Sequence, residues 1–287
     1  MTDPIDCNAW NIYFNLTMTL DYTNGTAVNI GLRGPFIRAL FHDAGTYNPA
    51  DGSGGMDGSL IHELTDRKDN LGLEKTAQWV EELFSSQKAE CSWLSRADII
   101  SMGAFIAMSS PNYTTPYYTG NSLAVTPIAL PFLIGRVDTN TANPTGRLPA
   151  ANQSATDVLT RFTNDFGFTV EEAAAIVSAS HSVGGINIGG RHTDPPVGTQ
   201  YQTFFLGTID GPKAIVDNKA INRAIGGIAL IPADNQMAKL SATSSFMSNF
   251  NANLTALYAA YYPAALKMSL LGQNANAMRT WTPPLPL

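Results

Sequence analysis

Apolar positions recur at helical spacing through much of the chain and are broken by clusters of glycine, proline and asparagine, which predicts a mostly α-helical protein. Residues 8–20 mix polar and apolar groups at loose helical spacing and run out at the turn signal of Asn24 and Gly25. Residues 73–84 place Leu73, Ala77, Val80 and Phe84 on one side of an amphipathic helix. Ser95 followed by Asp98 is a capping signal ahead of an apolar helix over 97–108. A further amphipathic helix is expected over 154–166. Thr169 with Glu172 then forms a capping box for a helix that ends at His181. Residues 245–271 read as one or two helices stopped by Gly272.

Between these segments the period disappears. Residues 111–149 are rich in proline, glycine and threonine and read as a long connection with a short strand at 131–134. Residues 181–227 hold many glycines and are expected to form loops and short helices. The end of the chain, with Pro283, Pro284 and Pro286, reads as a Pro-rich tail. No internal repeat or low-complexity block is present, and the sum is roughly ten helices in two halves.

Composition narrows the function classes. Of 287 residues, 44% are hydrophobic and only 14% charged, so solubility has help from beyond the side chains. Five Asn-X-Ser/Thr sequons, at Asn15, Asn24, Asn112, Asn152 and Asn253, point to a secreted glycoprotein. The start carries no signal peptide and is read as an exported chain whose leader an initiator methionine has replaced. A net charge of −6 and the absence of a Lys/Arg cluster argue against nucleic acid or an anionic membrane as partner. No apolar run is long enough to span a bilayer. Cys7 and Cys91 form one disulfide in a secreted setting, or stay as two buried thiols.

The chemistry concentrates in residues 38–59. If residues 36–43 are helical, Arg38 and His42 stand four apart and share a face. A neutral imidazole there takes a proton from an incoming acid, while the permanent cation holds the resulting anion. An ordinary amphipathic helix also carries such pairs. Asn70 would fix the His42 tautomer if it accepts from Nδ1, which keeps Nε2 as the base. Of the other histidines, His181 ends an apolar helix, where an unpaired imidazole is costly; His62 and His192 read as surface residues.

The runs R-A-L-F-H-D from Arg38, G-M-D-G-S from Gly55, S-R-A-D-I-I from Ser95, G-R-L-P from Gly146 and A-S-H-S-V-G from Ala179 occur in this order. Together they resemble the plant, fungal and bacterial haem peroxidase superfamily over about residues 7–271. The resemblance implies a single catalytic domain over 1–287 with a two-lobed helical fold and haem between the lobes. Its distal half would cover about 1–145, its proximal half about 146–272, and the tail 273–287. Phe41 and the Asp-containing loop are similar to the secreted fungal and plant classes, whereas A-G-T-Y-N after Asp43 and G-R-L-P look like ascorbate peroxidases. The chain thus resembles a hybrid fungal secretory enzyme.

The resemblance assigns roles residue by residue. Arg38, Phe41, His42 and Asn70 would form the distal site. His181 would be the axial ligand of haem b iron and Asp234 its carboxylate partner, making the ligand more electron-donating. A distal calcium ion would be held by Asp43, Gly55, Asp57 and Ser59, and a proximal one by Ser182, Asp210, Pro212, Ile215 and Asp217, with Pro212 standing where the family has a threonine. Without the family context, Asp and Ser in Gly-rich loops are ordinary turn formers. Cys7 and Cys91 match one disulfide of the plant secretory class.

Hydrogen peroxide is the implied oxidant and small phenolic or aromatic molecules the donors, oxidised in one-electron steps by a monomer. Gly31, Pro35 and Asn187 stand where a manganese site needs acids. Ile176 replaces the surface tryptophan of the lignin-oxidising type. The ascorbate-site arginine would fall near Gly190, with the neighbouring Arg191 substituting only if the loop shifts by one, and Ile209 stands where Trp or Phe is usual. Two rivals are a catalytically weak, calcium-stabilised glycoprotein scaffold, for which Arg38 and His42 would be superfluous, and a zinc hydrolase, for which no close-spaced ligand motif exists.

Overall fold

The computed structural model describes residues 6–21, 30–64, 67–108, 132–150, 153–183, 185–187, 201–203, 216–229 and 231–282. Among these are ten α-helices: α1 (Cys7–Asp21), α2 (Ile30–Ala44), α3 (Glu74–Ser85), α4 (Arg96–Met108), α5 (Ala155–Thr160), α6 (Val170–Ser180), α7 (Lys219–Ile225), α8 (Pro232–Met237), α9 (Ser244–Ala252) and α10 (Leu254–Met268). Strand β1 (Phe132–Ile134) pairs antiparallel with β4 (Arg279–Trp281), and β2 (Gly185–Asn187) with β3 (Tyr201–Thr203). No helix among the described residues is long and apolar enough to cross a membrane.

Helix α4 packs against α1, α2 and α3, and residues 97–108 are buried all round, as an apolar sequence without a polar stripe requires. Helix α2 packs closely against it because Gly103 has no side chain: a Cβ there would stand 2.4 Å from the Phe36 ring. Phe36 is fully buried and meets Trp79 of α3 edge-on. These contacts fix the rotation of α2, and with it the direction in which Arg38 and His42 project.

The expected caps form. Ser95 Oγ accepts from Asp98 N at 2.9 Å at the start of α4, and Thr169 and Glu172 make a reciprocal box on α6. The helix expected over 154–166 begins at its Ser154 cap but passes into a π-helical turn, Arg161–Asp165. The β2–β3 pair and β4 lie in stretches read as loop or tail. Three-residue strands are too short to show alternation, and β4 is held by partners the local pattern does not contain. In β4, Trp281 pairs with Phe132 and packs with Tyr13 and Phe132 in an aromatic cluster.

Residues 269–281 therefore return to β1 and to the start of α4. Arg136 and Asp98 form a buried ion pair at 2.9 Å, and the same guanidinium donates to Ser269 O at 2.8 Å and Oγ at 3.0 Å, just past α10. Gly55 has a φ of 107°, and a Cβ on it would lie 2.3 Å from Leu271 O, so only glycine lets this loop meet the end of α10. A disulfide joins Cys7 to Cys91, with their Cα atoms 5.8 Å apart. Cys91 lies in the loop before α4, and the Asn8 side chain fastens that loop through Lys88 and Ser92. The small residues of α6, including Ala173, Ala174 and Ala175, are buried. Helix α6 packs on α10 and touches α2.

Candidate active site

Arg38 and His42 lie one turn apart on α2, and Arg38 Nε donates to His42 Nε2 at 3.1 Å. The guanidinium also donates to Leu71 O at 2.7 Å and to Asp69 O. His42 Nδ1 is 2.8 Å from Asn70 Oδ1. Because that oxygen only accepts, the His42 proton sits on Nδ1, and the Nε2 lone pair faces Arg38. Burial, then the nearby Arg38 charge, pull the His42 pKa down to about 3 against the raising effect of Asn70, so the imidazole is neutral. Burial also lowers the Arg38 pKa against the opposing charges of Glu74 and Asp69, and it stays a cation at neutral pH. Phe41 stacks on Phe162 at 5.7 Å and meets the His42 ring edge-on.

Sequence reading missed what stands behind Asn70. Its Nδ2 faces Glu63 O and Oε2 at 3.4 Å, and the buried Glu63 carboxylate is held by Arg67 at 2.7 Å and by Asn143 N at 2.9 Å. Glu63 sits between two short 3-10 turns, Ser59–His62 and Lys68–Asn70, with no periodic signal to single it out. His62 is exposed, as expected; His192 lies outside the described residues.

Of the four residues expected to hold a distal calcium ion, Asp57 and Ser59 converge, but on a protein nitrogen. Asn143 Nδ2 lies 3.1 Å from Thr46 Oγ1, 3.1 and 3.0 Å from the two Asp57 oxygens, and 2.8 Å from Ser59 Oγ. Asp43 instead receives N–H bonds from Gly58 at 2.9 Å and Leu60 at 3.0 Å, and Gly55 O accepts from Asp57 N at 2.8 Å. Burial, then the Asp57 charge, raise the Asp43 carboxyl well above the usual carboxylate range, against those two N–H bonds. The cluster therefore does not fit the expected cation with Asn143 in place: an amide N–H pair stands where a dication needs open oxygen lone pairs.

On the proximal side, His181 is the C-cap of α6, and its Nδ1 lies 2.9 Å from Asp234 Oδ2. Pro232 opens α8 at its first position and brings the buried Asp234 into the first turn. Burial pulls the His181 pKa down, but the Asp234 charge and hydrogen bond together outweigh it and leave it raised. Ser182 Oγ accepts from Asp217 N at 3.0 Å, so these two predicted proximal ligands are neighbours. Asp210, Pro212 and Ile215 lie outside the described residues, as do Gly190, Arg191 and Ile209. Ile176 is buried in α6 and presents nothing at the surface.

The donor set fits a haem. His181 is an imidazole held in orientation by a buried carboxylate, and 29% of its side chain remains accessible. The other helix, α2, supplies a neutral base and a fixed cation.

Comparison with known proteins agrees. A family model described as Peroxidase matches residues 18–253. The chain is 32% identical over 161 residues to a putative L-ascorbate peroxidase 6 of Arabidopsis thaliana, covering 56% of this chain and 42% of that protein. It is 29% identical over 181 residues to a mitochondrial cytochrome c peroxidase of Candida albicans, covering 61% and 44%. With the corresponding protein of Cryptococcus neoformans var. grubii, identity is 25% over 293 residues, covering 94% and 70%. The matches thus span less than half the length of the first two relatives. The first of these names is of the kind that A-G-T-Y-N and G-R-L-P resemble. With a family match over most of its length, the chain belongs to the peroxidase family of the haem peroxidase superfamily.

Proposed function

We propose that this chain is a haem b peroxidase that reduces hydrogen peroxide to water and oxidises small phenolic or aromatic donors in one-electron steps. The observation that carries the reading is the state of His42: neutral, with its proton held on Nδ1 by Asn70 and Nε2 beside Arg38. When bound, haem supplies the iron that binds peroxide and the electrons that break its O–O bond. His181 would hold the iron through Nε2, with Asp234 keeping the ring in orientation. His42 Nε2 takes the proton of the incoming peroxide and returns it to the leaving oxygen. For that, Arg38 has to release His42 Nε2 together with the carbonyls of Asp69 and Leu71, and it turns to the charge that develops on that oxygen.

In this reading the protein is secreted and monomeric. Support for secretion comes from the sequons, of which Asn15 and Asn253 are exposed, and from the disulfide. A proximal calcium ion remains part of the reading on the adjacency of Ser182 and Asp217, whereas the distal oxygens are assigned otherwise below. Ascorbate and cytochrome c, for which the relatives are named, are less favoured donors because the arginine of the ascorbate site has no direct counterpart and Ile209 replaces the usual Trp or Phe. The test is turnover of the haem-loaded protein with peroxide and a donor panel, with and without manganese. Phenol oxidation indifferent to manganese is expected; no turnover of any donor would overturn the proposal.

A further inference from the structure

Asn143 joins two carboxylates that frame the distal site. Its side-chain nitrogen is surrounded by the oxygens of Thr46, Asp57 and Ser59 at 2.8–3.1 Å. Its main-chain N–H holds Glu63 Oε1 at 2.9 Å, behind Asn70 and His42. A primary amide has two N–H bonds, so it satisfies part of this oxygen cage and brings partial positive charge to the Asp57 carboxylate. The segment is anchored on both sides. Thr139 N donates to Asp57 O at 2.8 Å, and Arg147 Nη1 to Thr46 O at 2.9 Å. Asp138, just before it, accepts from Arg96 N at 2.7 Å and Ala97 N at 3.0 Å at the start of α4. Asn143 is thus fixed relative to both α2 and α4.

We propose that Asn143 is a positioning residue for His42, its carboxamide standing at the centre of the distal oxygen cage in place of a cation and its main-chain N–H steadying Glu63. The consequence is a distal histidine whose placement needs no divalent ion. The link to catalysis rests on the peroxidase reading of His42, whereas the link to cations does not.

The experiment follows the haem-loaded protein and its Asn143→Ala variant in a calcium chelator and then in millimolar calcium. Three quantities are read: the rate of reaction with peroxide, the thermal midpoint, and the calcium content after dialysis. Wild type is expected to keep its rate and midpoint in chelator. Asn143→Ala keeps the main-chain N–H but frees the cage oxygens, among them Thr46 Oγ1, which donates to the main-chain oxygen of Asp43 beside His42 at 2.8 Å; through that contact it is expected to lose about tenfold in rate, the scale of an outer-shell defect. Calcium should restore that rate in the variant and leave wild type unchanged, a rescue that a merely structural role would not show. The proposal is overturned if wild type loses rate or midpoint in chelator and regains it with calcium, because a cation would then fill the cage. It is also overturned if Asn143→Ala in chelator reacts as wild type does. If the variant does not fold, the chelator response of wild type decides. If wild type never reacts with peroxide, the peroxidase reading fails, while the midpoint and calcium content still test the cage.

Discussion

Replacing Asn70 by valine tests the proton arrangement at the distal histidine. The shorter, β-branched valine carries no polar atom, so the acceptor 2.8 Å from His42 Nδ1 is lost, and Asn70 is fully buried. Leaving a buried donor unpaired costs about 1–3 kcal/mol, which corresponds to roughly a five- to 150-fold change in a rate that depends on that geometry. Arg38 Nε still donates to Nε2 at 3.1 Å and favours the same tautomer, so the effect belongs at the low end. We expect about a tenfold loss in the second-order rate constant of the haem-loaded protein with peroxide, measured by stopped-flow absorbance, with haem still bound. Asn70→Asp keeps an acceptor but adds a charge that favours imidazolium, so the rate should fall on the acid side at a higher pH than in wild type. Valine at the wild-type rate, or an aspartate variant with an unmoved pH profile, would refute the role given to Asn70.

Other consequences follow from the same contacts. The His42 pKa is about 3 in the folded protein and about 6.5 in an unfolded chain, so between these values the unfolded state binds a proton that the folded state does not. Stability of the haem-free protein should therefore rise with pH through that window, and His42→Leu should remove up to about 1.4 kcal/mol per pH unit of slope in urea unfolding. His181 has the opposite sign: its raised pKa gives stability that is full below the unfolded value and is lost as pH climbs through the folded one. Asp234→Asn should flatten that alkaline slope in the haem-free protein. Arg136→Met leaves the Asp98 carboxylate buried without its cation and should destabilise by about 3–5 kcal/mol in denaturant unfolding, with the double change Asp98→Asn/Arg136→Met recovering part of the loss.

The parts of the fold that are local in sequence were legible in it. The α4 and α6 caps are made by side chains three residues apart, and the pairing of Arg38 with His42 follows from one helical turn. Asp234 was reachable only through the family resemblance, because a carboxylate in a short turn gives no local sign of a partner 53 residues away. Glu63 and Asn143 were missed for the same reason: their bond spans 80 residues and joins two aperiodic stretches. Asp57 and Ser59 of the oxygen cluster were found, but not Thr46 or the amide that closes it, since a cation and an N–H donor ask for the same oxygens. Strand β4 escaped because its stability lies in Phe132 and Tyr13 rather than in its own pattern.

The central claim is that His42 serves peroxide chemistry at a haem held by His181. It is tested most directly by mixing the haem-loaded protein with hydrogen peroxide and following the haem absorbance, beside His42→Leu. The account predicts a rapid absorbance change in wild type and one slower by orders of magnitude, on the order of 10²–10⁴, in a variant that still binds haem. An unchanged wild-type spectrum, or a His42→Leu variant that reacts as fast as wild type, would contradict it.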